Sequence, residues 1–306
     1  MLNDLVKISD LSVEQIEEII KVAQEFKAGN YDKSLMGKNV SLMFFENSTR
    51  TKISFEVAAK KLGANVINFE TNTSSLNKGE TLLDTIENLY FIGINALIIR
   101  TTDDELISNL KAKVRFPMKY LNAGSGKTSH PTQALLDYMT MKEKLGSVKN
   151  KKVVIVGDIE HSRVAKSNIA LLNKIGAKVV ICTPDYFKPA EVKDVSFVSD
   201  LKTAIEDADV VMGLRIQKER ILEAFSEEDY INNYQINSSL LEKYAPNAIL
   251  MHPGPVNRDV EITSELLDSE KGLTILEQAQ NGVYVRMALL HLILGGQQWF
   301  WRMPFS

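Results

Sequence analysis

Residues 40–63 read VSLMFFENSTRTKISFEVAAKKLG, and this stretch decides the fold. Val40 to Phe45 form an apolar run, interrupted only by Ser41, with the length of a strand buried on both faces. The sequel from Asn47 reads as a helix that Gly63 ends. A buried strand passing directly into a helix is the first half of a parallel βαβ unit. Outward from it the alternation repeats. Upstream, Ser12 and Gln15 form a capping box that opens a helix carrying Ile16, Ile19, Ile20, Ala23 and Phe26 on one face. Downstream come a strand at 66–69, a polar stretch at 71–80, a helix at 82–92, a strand at 96–99, a short helix within 104–112 and a strand at 118–121. A long helix over 132–145 leads to a second series, with strands at 153–156, 179–182, 210–212 and 249–251. A last helix, 283–294, stops at Gly295 and Gly296. The pattern predicts an α/β protein of two doubly wound parallel-sheet domains joined by a rigid helix, with the cleft between them as the default ligand site.

Composition agrees with this and narrows the function. A chain of 306 residues, 44% hydrophobic and 25% charged, has the size of two ordinary globular domains. Its net charge of −3 gives no global basic footprint, so nucleic acid is not the expected ligand. One cysteine, Cys182, excludes an intramolecular disulfide and any multi-cysteine metal site, and in its apolar strand it reads as an inert core residue. The Asp and Glu residues show no metal-ligand spacing. The opening MLNDLVKISD lacks the features of a signal peptide, and the longest apolar run, Met287 to Leu294, is too short to cross a bilayer. The expectation is a cytoplasmic protein with no membrane partner.

Five stretches carry chemistry. Phe45-Glu46-Asn47-Ser48-Thr49-Arg50-Thr51 sits where strand becomes helix. Free N–H groups, the helix dipole, three hydroxyls and a guanidinium converge there, which is an anion site best suited to phosphate. The dipole supplies only about 0.3–1 kcal/mol, so Arg50 and the hydroxyls must contribute most of the grip. The plain alternative is that Ser48 and Thr49 merely cap the helix. Thr73 to Glu80 is a polar loop that could present Ser75 and Lys78 to an anion as a lid, or be an ordinary surface loop. His130-Pro131-Thr132-Gln133 opens the linking helix, with Pro131 suited to its first turn. There His130 can donate to an oxygen gaining charge, and the Gln133 amide can read an NH₂ or a carbonyl.

In the second half, Val156-Gly157-Asp158 ends a strand, but the G-x-G-x-x-G fingerprint is missing and dinucleotide binding is not expected. Arg163 and Arg215, the latter in Leu214-Arg215-Ile216-Gln217, both follow carboxyl ends of parallel strands, where two guanidiniums can hold a small dianionic acid. Surface salt bridging is the alternative. His252-Pro253-Gly254-Pro255 makes a rigid turn whose carbonyls can be aimed at a ligand, with a cis bond before Pro255 compatible with the sequence.

In order and over nearly the whole chain, these stretches resemble the aspartate/ornithine carbamoyltransferase family. The resemblance rests on Ser48-Thr49-Arg50-Thr51, Ser75 with Lys78, Arg100, His130-Pro131-Thr132-Gln133, Arg163, Arg215-Ile216-Gln217 and His252-Pro253-Gly254-Pro255. It implies a carbamoyl phosphate-binding domain over 1–131, with a C-terminal helix at 282–306 packing back on it, and an amino acid-binding domain over 132–281. By resemblance, Ser48, Thr49, Arg50, Thr51 and Arg100 hold the phosphate, and Thr51, Arg100 and His130 face the carbamoyl oxygen. Gln133 and the carbonyls near Gly254 and Pro255 take the NH₂. The family is trimeric, and each site borrows the Ser75–Lys78 loop from a neighbouring chain; some members also assemble with regulatory chains. Arg163, Arg215, Gln217 and Lys78 are expected to bind the two carboxylates of L-aspartate, as part of pyrimidine biosynthesis. Ornithine enzymes carry an acid near the position of Arg215 and a Cys where this chain has Pro253, and Arg215 would repel a cationic side chain. No cofactor or metal is implied. The aromatic tail from Gln297 to Phe305 departs from the family pattern, and is expected either to fold onto its own first domain or to dock on another chain.

Overall fold

The computed structural model describes residues 2–69, 79–189, 192–217 and 225–295. Ser75, Lys78 and the aromatic tail therefore lie outside the described residues. The chain divides into two compact units, Met1–Thr132 with Gly282–Ser306, and Gln133–Asn281.

In the first unit, α1 (Val13–Lys27) is followed by β1 (Asn39–Phe44), α2 (Thr49–Lys61), β2 (Asn65–Phe69), α3 (Leu82–Ile92), β3 (Ala96–Thr101), α4 (Leu106–Lys113) and β4 (Lys119–Ser125). The strands pair in parallel in the order β2-β1-β3-β4. The inner strands β1 and β3 are apolar along their middles because both faces are covered, whereas the edge strand β2 is largely exposed. Met43, Leu97, Ile99, Ile86, Ile107 and Tyr120 build one core layer. The capping box of α1 forms as expected: the Ser12 hydroxyl accepts from the Gln15 N–H, and the Gln15 amide oxygen accepts from the Ser12 N–H.

α5 (Pro131–Leu145) carries the chain into the second unit. There β5 (Lys152–Val156), α6 (Arg163–Ile175), β6 (Lys178–Cys182), β7 (Ser196–Phe197), α7 (Leu201–Ile205), β8 (Val210–Gly213), α8 (Glu227–Tyr234), α9 (Ser238–Tyr244), β9 (Ile249–Met251) and α10 (Ser264–Leu267) follow. The second sheet is also parallel, in the order β7-β6-β5-β8-β9. Its core joins Val154, Val156, Val211 and Leu250 of the strands to Leu201, Leu241 and Leu266 of the covering helices.

Both sheets are parallel α/β layers, as the alternation predicts. Two boundaries differ most. The last helix, α11, spans Leu273–Leu294 and starts ten residues before the predicted position. Its first turns hold the polar run Glu277-Gln278-Ala279-Gln280-Asn281 and the exposed Leu273 and Leu276, so no apolar stripe announces them. β4 runs on to Ser125, through Asn122 to Ser125, because a buried polar network replaces the apolar pattern there.

Candidate active site

Each sheet reverses its strand order once, between β1 and β3 in the first unit and between β5 and β8 in the second. At such a point the loops leave in opposite directions and open a crevice at the carboxyl ends. Of the predicted residues that are described, Ser48–Thr51 follow β1, Arg100 lies near the end of β3, Arg163 follows β5 and Arg215–Gln217 follow β8, while His130 and Gln133 follow β4 and Gly254-Pro255 follows β9.

In the first unit, β1 ends at Phe44 and Ser48 begins α2. Ser48 is the N-cap, yet its hydroxyl makes no capping bond, unlike Ser12, Thr81 and Ser162 at their helices. The plain capping reading therefore does not hold for Ser48. Thr49 and Arg50 are exposed and Thr51 is buried, and no acid stands in the first turn of α2. The positive end of the helix is thus left uncompensated. On the neighbouring strand, Arg100 pairs with Phe44 across the ladder, and its Nε lies 2.7 Å from Glu46 Oε1. A register shift opposite Arg100 bulges Ala123 and Gly124 of β4, and the Arg100 guanidinium donates to the Ala123 carbonyl at 3.2 Å. Bulges of this kind re-aim side chains beside active sites. The loop after β4 then folds back: the Ser125 N–H donates to the Ser129 carbonyl at 2.8 Å, and the buried His130 follows directly. Gly126 is required in that turn, since its φ is +48° and a Cβ would stand 2.1 Å from the Asp104 carboxyl carbon. The first unit thus brings Ser48–Thr51, Arg100 and His130 onto adjoining loops.

In the second unit, Gln133 lies on the first turns of α5, and its Nε2 donates to Asp137 Oδ1 at 2.9 Å. A carboxylate only accepts, so the amide is fixed with its carbonyl oxygen turned away from Asp137. Asp137 is fully buried and also accepts from Gln278 Nε2 and Asn168 Nδ2. Gln278 in turn accepts the His252 N–H at 2.9 Å, and His252 Nδ1 accepts the Gly254 N–H at 2.8 Å. Asp137 thereby orients both Gln133 and the turn at Gly254-Pro255, whose peptide bond is cis.

The two arginines follow β5 and β8, which are neighbours. Gly157 has φ +122°, and a Cβ there would meet the Leu214 carbonyl oxygen at 2.9 Å. Glycine alone lets these two loops approach. Arg163 is nine-tenths buried at the start of α6, so it is no surface cation, and Arg215 is half-buried. Asp158, fully buried, accepts from the His161 N–H at 3.1 Å and lies 2.9 Å from His161 Nδ1, and it also accepts the Gln217 N–H. Burial raises its pKa above the usual aspartate value despite those bonds. Gln217 Nε2 donates to the His161 carbonyl at 2.9 Å, which ties the Arg163 and Arg215 loops together. Cys182 is buried, and desolvation pushes its thiol up to about 12.

Family models match both parts of the chain: "Aspartate/ornithine carbamoyltransferase, carbamoyl-P binding domain" over residues 3–143, and "Aspartate/ornithine carbamoyltransferase, Asp/Orn binding domain" over 149–293. The chain belongs to the aspartate/ornithine carbamoyltransferase family. It is 44% identical over 291 residues to the aspartate carbamoyltransferase catalytic subunit of Oceanobacillus iheyensis, covering 94% of this chain and 92% of that protein. Among solved structures, the ornithine carbamoyltransferase of Pyrococcus furiosus superposes with a TM-score of 0.85 at 31% identity, covering 97% of this chain and 98% of that one. The aspartate transcarbamoylase of Trypanosoma cruzi in complex with carbamoyl phosphate and aspartate gives 0.84 at 28% identity, covering 94% and 95%.

Several residues that shape these loops escaped the motif reading. Asn122 beneath the β4 loop, Asp137 and Gln278 behind Gln133, and Glu261 in the second unit are examples, as is the pairing of Glu46, itself within a motif, with Arg100. Arg286 is another: it is buried over the Phe55 ring and donates to Ser54 Oγ and Thr132 Oγ1 within the first unit. Asp137, Glu261, Asn122 and Arg286 share a signal, a polar side chain set inside an apolar run, as Asp137 is among Leu135, Leu136, Tyr138 and Met139; Gln278, in a polar run, does not.

Proposed function

We propose that this chain transfers the carbamoyl group from carbamoyl phosphate to the amino group of L-aspartate, giving N-carbamoyl-L-aspartate and phosphate, an early step of pyrimidine biosynthesis. The observation that carries the choice of acceptor is the pair Arg163 and Arg215, both withdrawn from solvent at the carboxyl ends of neighbouring strands. Two guanidiniums held there match two carboxylates and repel an ammonium. The 44% identity to the Oceanobacillus aspartate enzyme supports the same acceptor.

In this reading residues 1–131 with 282–306 form the donor-binding domain and 132–281 the acceptor-binding domain. Ser48, Thr49, Arg50, Thr51 and Arg100 bind the phosphate, with the first turn of α2 supplying N–H groups and the dipole. Gln133, its carbonyl fixed outward by Asp137, accepts from the carbamoyl NH₂ together with the carbonyls at Gly254 and Pro255. Arg163, Arg215, Gln217 and Lys78 hold aspartate. The neutral amine attacks the carbamoyl carbon and a tetrahedral oxyanion forms. Thr51, Arg100 and His130 donate to that oxygen, each such donor being worth about 2.7–4 kcal/mol in a preorganised site. The C–O bond to phosphate then breaks, the phosphate leaving against Arg50 and Lys78 and accepting the amine proton. Holding both substrates in line can supply about 7–11 kcal/mol. The active assembly is a cytoplasmic homotrimer in which Ser75 and Lys78 serve a neighbouring chain's site, and regulatory chains are a candidate further partner.

Incubating the protein with carbamoyl phosphate and, in turn, aspartate, ornithine and an N-acylated amino acid tests the acceptor. Phosphate and carbamoyl aspartate appearing with aspartate alone is the expected result. Turnover with ornithine in preference to aspartate overturns the assignment. Binding of carbamoyl phosphate with no phosphate released on adding any acceptor would mark a sensor instead of an enzyme.

A further inference from the structure

Ile216 is held at every part of its residue. Its side chain is fully buried in a cluster with Phe187, Tyr230 and Val260. Its N–H donates to Glu261 Oε1 at 2.9 Å, and its carbonyl accepts from Asn257 Nδ2 at 3.3 Å. The other end of the clamp is fixed as well: Asn257 donates to the same carboxylate twice, from Nδ2 to Oε1 at 2.7 Å and from its backbone N–H to Oε2 at 2.6 Å. Glu261 itself is only 1% exposed, between the buried Val260 and Ile262, with His252 Nε2 at 3.8 Å from Oε2.

Ile216 stands between Arg215 and Gln217, and Asn257 lies two residues beyond the Gly254-Pro255 turn. One buried carboxylate therefore fastens the Arg215–Gln217 segment to the segment that carries the turn. We propose that Glu261 is a positioning residue for the acceptor amino acid, setting the peptide from which Arg215 and Gln217 project. This rests on the reading that Arg215 and Gln217 take the acceptor. The energetics favour a positioning role over a merely cohesive one. Apolar residues of similar volume often replace a buried charge without loss of stability, so a carboxylate enclosed here needs a reason beyond cohesion. Its oxygens accept two backbone N–H groups and an amide, on two different segments, a geometric task that no apolar side chain performs.

The test is Glu261→Gln, nearly isosteric with the native residue. A neutral amide offers one acceptor oxygen where the carboxylate offers two, so it cannot take the N–H groups of both Ile216 and Asn257. The expected result is a KM for aspartate raised roughly tenfold or more, the loss of one charge-assisted hydrogen bond. The inhibition constant of inorganic phosphate, a probe of the α2 site in the first unit, should stay within about twofold. An aspartate KM within twofold of the parent overturns the proposal, as does a rise of both constants by a common factor. Should Glu261→Gln fail to fold, Asn257→Ala frees the Ile216 carbonyl and is read on the same two constants. The failures separate cleanly. A parent protein that does not carbamoylate aspartate overturns the acceptor reading and this role with it, whereas an active parent with an unchanged variant KM overturns the role of Glu261 alone.

Discussion

The carboxyl ends of the two sheets are built on different principles. In the first unit the candidate groups sit on a helix start, near the end of β3 and on the loop after β4, and the acid paired with Arg100, Glu46, belongs to the short loop that leads into that helix. In the second unit the candidate groups sit on the first turns of α5 and α6 and on the loops after β8 and β9, and beside them lie three buried carboxylates, Asp137, Asp158 and Glu261. A phosphate is read by backbone N–H groups, a dipole and a guanidinium that a rigid helix already aims. A small amino acid is read here by side chains, some of them on irregular loops, and those need fastening. Buried acids are suited to it because each can accept several N–H groups at once.

The contrast is sharpest when each side loses its principal cation. Arg50→Ala should produce the largest effect, a fall in kcat/KM for carbamoyl phosphate on the order of 10³-fold, because the site loses a charge-assisted grip on a group that gains charge as it leaves. Steady-state kinetics of the refolding-competent variant measure it, and activity within tenfold of the parent would remove phosphate binding from α2. Arg215→Ala should come next. Its aspartate KM is expected to rise roughly 100-fold, as when one partner of a desolvated ion pair is truncated, with the KM for carbamoyl phosphate moving by only a few-fold. Equal changes in both constants would mean that the units do not divide the substrates between them.

Removing a fastener instead of a cation should cost less. In Asp137→Asn one acceptor oxygen becomes a donor, and the single remaining oxygen cannot accept from Gln133, Gln278 and Asn168 together. Gln133 can then turn its NH₂ toward the substrate. A roughly tenfold fall in kcat is expected, with the phosphate inhibition constant unchanged. A fall confined to stability, read as a lower Tm at parental kcat, would make Asp137 a cohesive residue only.

How legible these features are in sequence follows from the same contrast. Alternation of Val40–Phe45, Ala96–Ile99 and Val153–Val156 with helical stretches defines parallel sheets, because strands covered on both faces must be apolar along their length. The cations and hydroxyls of Ser48–Thr51, Arg100, Arg163 and Arg215 are legible because they fall where strands end. Asp137, Glu261 and Gln278 are not. Each fastens a segment distant in sequence, 141 residues away for Gln278 and Asp137 and 45 for Glu261 and Ile216, and nothing local encodes the partner. The start of α11 is hidden for a related reason: its first turns are polar because Gln278 and Asn281 are spent on Asp137, Thr140 and Glu143 of α5 rather than on an apolar face.

The smallest expected effect concerns stability and pH, and it probes whether the fasteners of the second unit are ionised against their burial. The Asp158 carboxyl, ordinarily near 3.8, is raised chiefly by desolvation, and the N–H donors from His161 and Gln217 oppose this only in part. Between 3.8 and the higher folded value, the native protein binds more protons than the unfolded chain. Stability must therefore fall as pH rises through that window, the contribution being complete below 3.8 and gone above the folded value. His291 acts with the opposite sign: burial lowers its pKa below 6.5, so stability is lost as pH falls from 6.5 toward its folded value. Asp268, lowered by Arg258, likewise contributes above 3.8 and loses that contribution in acid. The parent profile is a balance of these with other shifted acids, among them Glu261, which burial raises with the same sign as Asp158, so the informative quantity is its difference from Asp158→Asn, measured as denaturant midpoints between roughly pH 4 and 7. The variant should lose less stability than the parent as pH rises across that range, whatever its absolute midpoint. Parallel profiles would mean that Asp158 titrates as it does in the unfolded chain, and the second unit would then hold its loops without keeping that acid out of water.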